Sequence, residues 1–170
     1  MPTIQYTAVR SLNTILSAFL CGLLILTATP VSALMIPEAY SPLVESINQA
    51  GVSVKVNDKD LCNRPVLGSY TSSTSTLVIC QQGIQLSNTE RPFSEEELEV
   101  LRHESVHLLQ DCLSGSRGDR MLIPVTRTQG DLLELTMAAG LDLTSIQTIS
   151  YLYGESGADA QVMWLEFEAF

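Results

Sequence analysis

Residues 94–113 read SEEELEVLRHESVHLLQDCL, and this stretch decides how the chain around it folds. Ser94 and Glu97 have the spacing of a capping box, in which the serine side chain accepts from the amide three residues on and the glutamate reaches back. The acidic run after Ser94 suits the positive end of a helix dipole. The pattern predicts a helix that begins near Phe93 or Ser94 and runs to about Leu113.

One side of this predicted helix is apolar. Its residues recur at spacings of three and four, which would turn them toward a core; they are Leu98, Leu101, Ser105, Leu108 and Cys112. The remaining side is polar. The sequence therefore separates a packing face from a face that is available for chemistry.

The polar side carries both histidines of the chain, His103 and His107, with Glu104 after the first. At about 100° per residue, positions four apart nearly eclipse, so the two imidazoles can bind one metal ion together. Glu104 lies beside such an ion, where it can take a proton from a bound water whose pKa the metal lowers to about 7. Gln110 and Asp111 follow one turn on, and either can orient an imidazole by a hydrogen bond.

Composition and residue usage argue against several classes of function. The chain has 170 residues, of which 45% are apolar and 16% charged, which predicts one packed domain. A net charge of -10 and the lack of a basic patch argue against nucleic-acid binding. With both histidines in one motif, a Ser/His/Asp mechanism has no independent base. Cys112 lies about 140° round the helix from His107, too far to pair with it.

The N-terminus resembles a secretory signal. Arg10 is the only charge before Glu38, residues 15–28 are apolar, and the tripeptide Val-Ser-Ala ending at Ala33 fits a signal peptidase site. The apolar run is shorter than the roughly 20 residues of a membrane span, which favours cleavage over a retained anchor. We therefore expect a signal peptide at 1–33, a secreted or periplasmic protein with no stable membrane span, and a single mature domain at 34–170.

The mature chain has three cysteines, Cys62, Cys80 and Cys112. In an exported protein an odd number indicates one bridge and one thiol. Cys62 and Cys80 flank a segment that resembles a loop and a hairpin, whose ends can approach to disulfide distance. We predict a disulfide between these two, while the fate of Cys112 stays open.

The rest of the chain predicts strands early and helices late. Residues 37–50 have helical spacing, 52–56 alternate as a strand does, and 68–71 with 76–80 resemble two strands across a Ser/Thr-rich turn. Helical patterns follow at 131–139, 143–152 and 156–170. This order predicts an α+β domain, with a small antiparallel sheet of about three strands followed by a helical part that carries the histidine helix.

His103, Glu104 and His107 in this order resemble the zincin metallopeptidases. The lack of a third histidine excludes the metzincin pattern and points to the glutamate-ligand, gluzincin-like branch. In that branch the third ligand lies on a later helix and commonly appears as Glu-x-x-Ala. The resemblance implies a zincin-like minimal domain that binds Zn²⁺ and hydrolyses peptide bonds in a peptide or protein substrate with a metal-activated water.

The chain offers the Glu-x-x-Ala pattern twice, beginning at Glu166 and at Glu155. Glu166 lies in an apolar helical run, which suits a ligand on a helix packed behind the active site. Glu155 lies between Gly154 and Gly157, which suggest a helix start, where the helix dipole already explains an acid. We expect Glu166 to be the third ligand, with Glu155 as the alternative and Glu168 behind both.

The resemblance also implies an electrophile beside the developing oxyanion, and without a further histidine Tyr151, Tyr153 or an arginine would serve. The strand that ends at Cys80 precedes the motif helix, as the substrate-pairing edge strand does in zincins. If it is an edge, an extended peptide can pair with its main chain.

An alternative function uses the same histidines without catalysis. In a non-catalytic metal-binding or structural zinc domain, Cys112, or Cys62 and Cys80 in reduced form, would complete the metal site. The oligomeric state is left open by the sequence.

Overall fold

The structure is a computed structural model that describes residues 36–81, 91–115 and 118–170. The predicted signal peptide at 1–33 lies outside the described residues. Within these three ranges, no helix combines the length and the apolarity that crossing a bilayer requires.

The described residues form five α-helices and three β-strands. In chain order they are α1 (Ser41–Gln49), β1 (Ser53–Val56), β2 (Gly68–Thr71), β3 (Thr76–Ile79), α2 (Glu95–Leu113), α3 (Gln129–Ala138), α4 (Leu143–Glu155) and α5 (Ala160–Ala169). Short 3₁₀ turns precede α1 and join β2 to β3. A small sheet combined with a mainly helical second half confirms the predicted α+β class.

The sheet is mixed, with the order β1-β3-β2. The antiparallel prediction is right for β2 and β3, which pair Tyr70 with Leu77. It is wrong for β1, which runs parallel to β3 and pairs Val54 with Leu77. All four residues of β3 are buried, as in a strand that is covered on both faces. Since β3 is central, it does not meet the condition set for pairing with an extended peptide; β1 and β2 are the edges of the described sheet.

Helix α2 begins with the predicted capping box. The Ser94 side chain accepts from the Glu97 amide at 3.3 Å, and the Glu97 carboxylate accepts from the Ser94 amide at 2.9 Å. Arg91 adds an ion pair to the buried Glu97 at 2.6 Å. The apolar side of α2 then packs into the core against α1 and β3, and its most buried members are Leu98, Leu101 and Leu108. Cap and packing together fix which side of α2 faces away from the core.

A disulfide joins Cys62 to Cys80, as predicted, with Cα atoms 5.4 Å apart. It ties the connection between β1 and β2 to the end of β3, and so closes a loop of the kind that a disulfide stabilises. Cys112 takes no part in this bridge and packs, partly buried, against the core.

The junction between α4 and α5 differs from the prediction. Helix α4 extends to Glu155 and α5 begins at Ala160, whereas the pattern predicted a helix from 156. Gly157 has φ +85°, the left-handed conformation that commonly ends helices. The Asp159 side chain then caps α5 by accepting from the amides of the first turn. The two glycines around Glu155 therefore mark a helix end, not a helix start.

Strand β2 lies directly against α2 because residue 68 has no side chain. A Cβ atom at Gly68 would lie 2.5 Å from Val100 Cγ1 and 2.8 Å from the Val78 carbonyl oxygen. The same atom would lie 3.4 Å from Cγ of Glu104. The close approach at Gly68 thus brings the edge of the sheet to the polar side of α2.

We expect Gly68→Ala to lower the free energy of unfolding by about 1–3 kcal/mol, because the methyl group overpacks this contact. Gly154→Ala is the matched control: a Cβ there meets nothing within 4 Å, and alanine in a helix is stabilising by about 0.5–1 kcal/mol. Urea denaturation measures both. A Gly68→Ala chain as stable as the wild type would show that the close approach does not exist.

Candidate metal centre

Three side chains meet on the polar side of α2. His103 Nε2 lies 3.2 Å from His107 Nε2 and 3.3 Å from Glu166 Oε2, and His107 Nε2 lies 3.6 Å from Glu166 Oε1. The two histidines are one turn apart on α2, and the glutamate comes from α5, which packs across it. The structure thus brings together the two predicted histidines and the preferred third residue.

The spacing of these atoms fits a zinc ion. Zinc binds histidine nitrogen and carboxylate oxygen at about 2.0–2.2 Å in a tetrahedron, so neighbouring donor atoms lie about 3.3–3.5 Å apart. The two ring nitrogens are 3.2 Å apart, and they lie 3.3 and 3.6 Å from two different oxygens of Glu166, so the three side chains are spaced roughly as ligands of such a tetrahedron. Its fourth vertex would take an exogenous ligand, as in catalytic zinc sites.

Gln110 determines which ring nitrogen of His107 carries the proton. The amide nitrogen of Gln110 donates to two acceptors, the Leu165 carbonyl oxygen and Glu168 Oε2, both at 2.9 Å. Its oxygen therefore faces His107 Nδ1 at 2.8 Å. Because that oxygen can only accept, Nδ1 of His107 must donate. The neutral imidazole then has its lone pair on Nε2, toward His103 and Glu166.

Two acceptors consequently face each other, His107 Nε2 and the Glu166 carboxylate. They require a positive charge or a hydrogen-bond donor between them, and a metal ion meets this need for both at once. A proton on one imidazole is the substitute in a metal-free chain. The donor set is thus one that a divalent cation completes.

In the metal-free chain, the pKa values of His107 and Glu166 shift toward the charged form of each group. Burial alone would lower the pKa of His107, but hydrogen bonds to Glu166 and Gln110 and the nearby negative charges outweigh it and raise that pKa. Burial would likewise raise the pKa of Glu166, yet hydrogen bonds from His103, His107 and Tyr153 hold it well below its usual range. Glu166 is therefore ionised, the form that binds a metal.

Glu104 is buried beside the two histidines, and an edge strand holds it there. Its Oε2 accepts a hydrogen bond from the Tyr70 amide of β2 at 2.7 Å. Burial raises the pKa of Glu104, and the two imidazoles offset this only in part. A raised pKa makes the carboxylate a stronger proton acceptor, as a general base requires.

Of the other residues predicted for the site, one contacts the centre and three do not. Asp111 does not orient an imidazole: its Oδ2 accepts from the Tyr70 hydroxyl at 2.6 Å, and its Oδ1 has no partner within the described ranges. Tyr153 does reach the centre, since its hydroxyl donates to Glu166 Oε2 at 2.6 Å. Tyr151 is 65% exposed on α4. Glu155, the alternative ligand, is exposed at the end of α4 and lies outside the cluster.

Tyr70 and Phe170 were not found from the sequence, and Glu168, the third choice as a ligand, lies outside the cluster and has a different contact. Tyr70 connects β2 to α2 at two points, Glu168 contacts Gln110, and the Phe170 ring lies edge-on to His103 with centroids 4.8 Å apart. Tyr70 lies on β2 and Glu168 on α5, and both contact residues that are distant in the sequence. Local sequence patterns do not predict such contacts. The only available signal was the position of Glu168 and Phe170 close to Glu166 in the chain.

The alternative of a structural zinc site completed by cysteines loses two of its possible ligands. Cys62 and Cys80 are joined in the disulfide, and a disulfide sulfur is not the thiolate that zinc binds. Among the described residues, the cluster that can hold a metal consists of His103, His107 and Glu166, without a cysteine.

We compared the chain with models of known protein families, with curated proteins and with solved structures. These comparisons give no match. The resemblance to zincins therefore stands on His103, Glu104, His107 and Glu166 alone.

Proposed function

We propose that the protein is a zinc-dependent metallopeptidase, with His103, His107 and Glu166 as the metal ligands and Glu104 as the general base. The observation that carries the proposal is the convergence of two imidazole nitrogens and one carboxylate group, with every pair of groups approaching to 3.6 Å or less. The tautomer that Gln110 imposes on His107 supports it, because Nε2 is left with its lone pair toward the other two donors.

Zinc in such a site supplies a water that is nucleophilic near pH 7 and a Lewis acid that polarises a carbonyl oxygen. Glu104 takes the proton that this chemistry releases and can return it to the leaving amine. The Tyr70 amide keeps its carboxylate in place. A purely structural metal site has no use for a buried carboxylate beside its ligands, so Glu104 favours the enzyme over the non-catalytic alternative.

The edge of the sheet supports a peptide as the proposed substrate. The Cys80 amide donates to the Leu67 carbonyl oxygen at 2.8 Å, so by antiparallel alternation the main-chain groups of Gly68 and Tyr70 point away from β3. The Tyr70 amide reaching Glu104 agrees with this. The Tyr70 amide is occupied by Glu104, so an extended peptide would pair with the other outward main-chain groups of β2 and would lie beside the base.

Zinc analysis and a cleavage assay test the proposal together. We expect the purified chain to hold about one zinc ion and to cleave an unstructured polypeptide, and a chelator to remove both properties. Re-addition of zinc should restore cleavage. A wild-type chain that takes up no zinc would overturn the proposal, and one that takes it up without cleavage would favour the non-catalytic alternative.

Tyr153 is expected to assist as a hydrogen-bond donor. Burial first, and then the adjacent Glu166, raise the pKa of its hydroxyl, so the group keeps its proton. We expect Tyr153→Phe to lower kcat by about 10²–10³ if the hydroxyl moves to the oxyanion, the cost of losing one such donor. Zinc affinity should fall by about 10–100-fold, as for other partners of metal ligands, because the hydroxyl donates to Glu166. Steady-state kinetics and zinc titration measure the two effects, and unchanged kcat would exclude Tyr153 from the reaction.

A further inference from the structure

The side of α5 opposite the metal centre carries a second buried carboxylate, Glu168. Residues two apart on a helix project about 200° apart, so Glu166 and Glu168 face in different directions. Glu168 is only 6% exposed, although carboxylates are rarely buried without partners. Its contacts therefore indicate a specific role.

Five donors converge on this carboxylate. Oε1 accepts from the Thr126 amide at 2.7 Å, from the Thr126 hydroxyl and from Trp164 Nε1 at 3.1 Å. Oε2 accepts from the Val125 amide at 2.8 Å and from Gln110 Nε2 at 2.9 Å. Hydrogen bonds in this number offset the cost of burying the charge. Four donors belong to α5 or to the loop before α3, and the fifth belongs to the histidine helix.

The fifth donor, Gln110, connects Glu168 to His107 of the metal centre. Gln110 is fully buried, so its amide finds all of its partners inside the protein. If the amide were reversed, its oxygen would face Glu168 Oε2 and the Leu165 carbonyl oxygen, and three acceptors would meet without a donor. Glu168 and the Leu165 carbonyl oxygen thus together hold the amide in the orientation that presents its oxygen to His107 Nδ1, and Glu168 is the side chain of the two.

We propose that Glu168 is a positioning residue for the metal centre: through Gln110 it keeps His107 in the tautomer whose Nε2 is available to a metal. The purpose of this arrangement rests on the proposed function, since it assumes that His107 binds zinc. The tautomer itself is a property of the metal-free chain, so it can be measured independently.

The test uses Glu168→Gln in the full chain. A glutamine offers one oxygen where the carboxylate offers two, so an NH₂ group must face one of the two sets of donors. We expect a larger fraction of His107 to carry its proton on Nε2, and zinc binding about 10–100-fold weaker, as for other partners behind metal ligands. Imidazole ¹⁵N shifts of the metal-free chain, recorded at a pH where both imidazoles are neutral, report the tautomer, and a zinc titration reports the affinity.

Thr126→Val is the matched control. It removes the hydroxyl donor to Oε1 and leaves the Gln110 contact with Oε2 in place. We expect a loss of stability with the His107 tautomer and the zinc affinity unchanged. If Glu168→Gln also leaves the tautomer unchanged, Glu168 is only structural and the proposal is overturned.

Two further outcomes of this test can be told apart: a variant that does not fold and a wild type that binds no zinc. If Glu168→Gln does not fold, the wild-type chain decides: a dominant Nδ1–H form of His107 upholds the proposal, and a dominant Nε2–H form overturns it. If the wild type binds no zinc, the proposed function fails, while the tautomer measurement still decides what Glu168 does.

Discussion

Glu104→Gln is expected to keep zinc and lose cleavage. The amide has almost the shape of the carboxylate but cannot take a proton, so kcat/KM should fall by about 10²–10⁴, the usual contribution of a general base. The proposed metal ligands His103, His107 and Glu166 are untouched by the change. Zinc analysis of the purified variant and kinetics on an unstructured polypeptide measure the two effects.

Glu99→Gln is the control for this variant. Glu99 lies on the same helix, and its partner is the exposed Arg102, so we expect ordinary cleavage and ordinary zinc content. Full cleavage by Glu104→Gln would assign the base to another group. Loss of zinc from Glu104→Gln would instead indicate that Glu104 is needed to form the site.

Glu166→Gln is expected to weaken zinc binding by more than about 100-fold, beyond the usual effect of a partner behind a ligand. The change removes the negative charge and one of the three donor atoms, and the remaining pair of histidines does not hold zinc firmly. Cleavage should fall with the metal. Zinc titration of the metal-free variant measures the loss.

Glu155→Gln is the matched control, because it alters the other Glu-x-x-Ala glutamate, which is exposed at the end of α4. We expect its zinc affinity to equal that of the wild type. The opposite pattern, with Glu155→Gln deficient and Glu166→Gln normal, would mean that the third ligand is misassigned.

The features that short-range patterns determine could be predicted. The capping box at Ser94, the apolar side of α2 and the pairing of His103 with His107 all depend on residues within one or two turns. Glu166 could be preferred over Glu155 because its surroundings are apolar. The disulfide followed from cysteine spacing and from a plausible hairpin.

The features that could not be predicted depend on contacts between segments that are distant in the sequence. The parallel pairing of β1 requires knowing that β3 lies between β1 and β2, which no local pattern states. The start of α5 was misjudged because a glycine can end one helix as readily as it can precede another. Tyr70 lies on β2 and Glu168 on α5. Their contacts with α2 form only when these elements pack against it, so no local pattern predicts them.

X-ray absorption at the zinc edge of the loaded wild-type chain tests the ligand set most directly. We expect nitrogen and oxygen as the only nearest neighbours of zinc, at about 2.0–2.2 Å, with the more distant scattering of two imidazoles. Glu166→Gln loaded in parallel should retain little zinc. A sulfur scatterer at about 2.3 Å, or a wild-type chain that takes up no zinc, would contradict the proposed site of His103, His107 and Glu166.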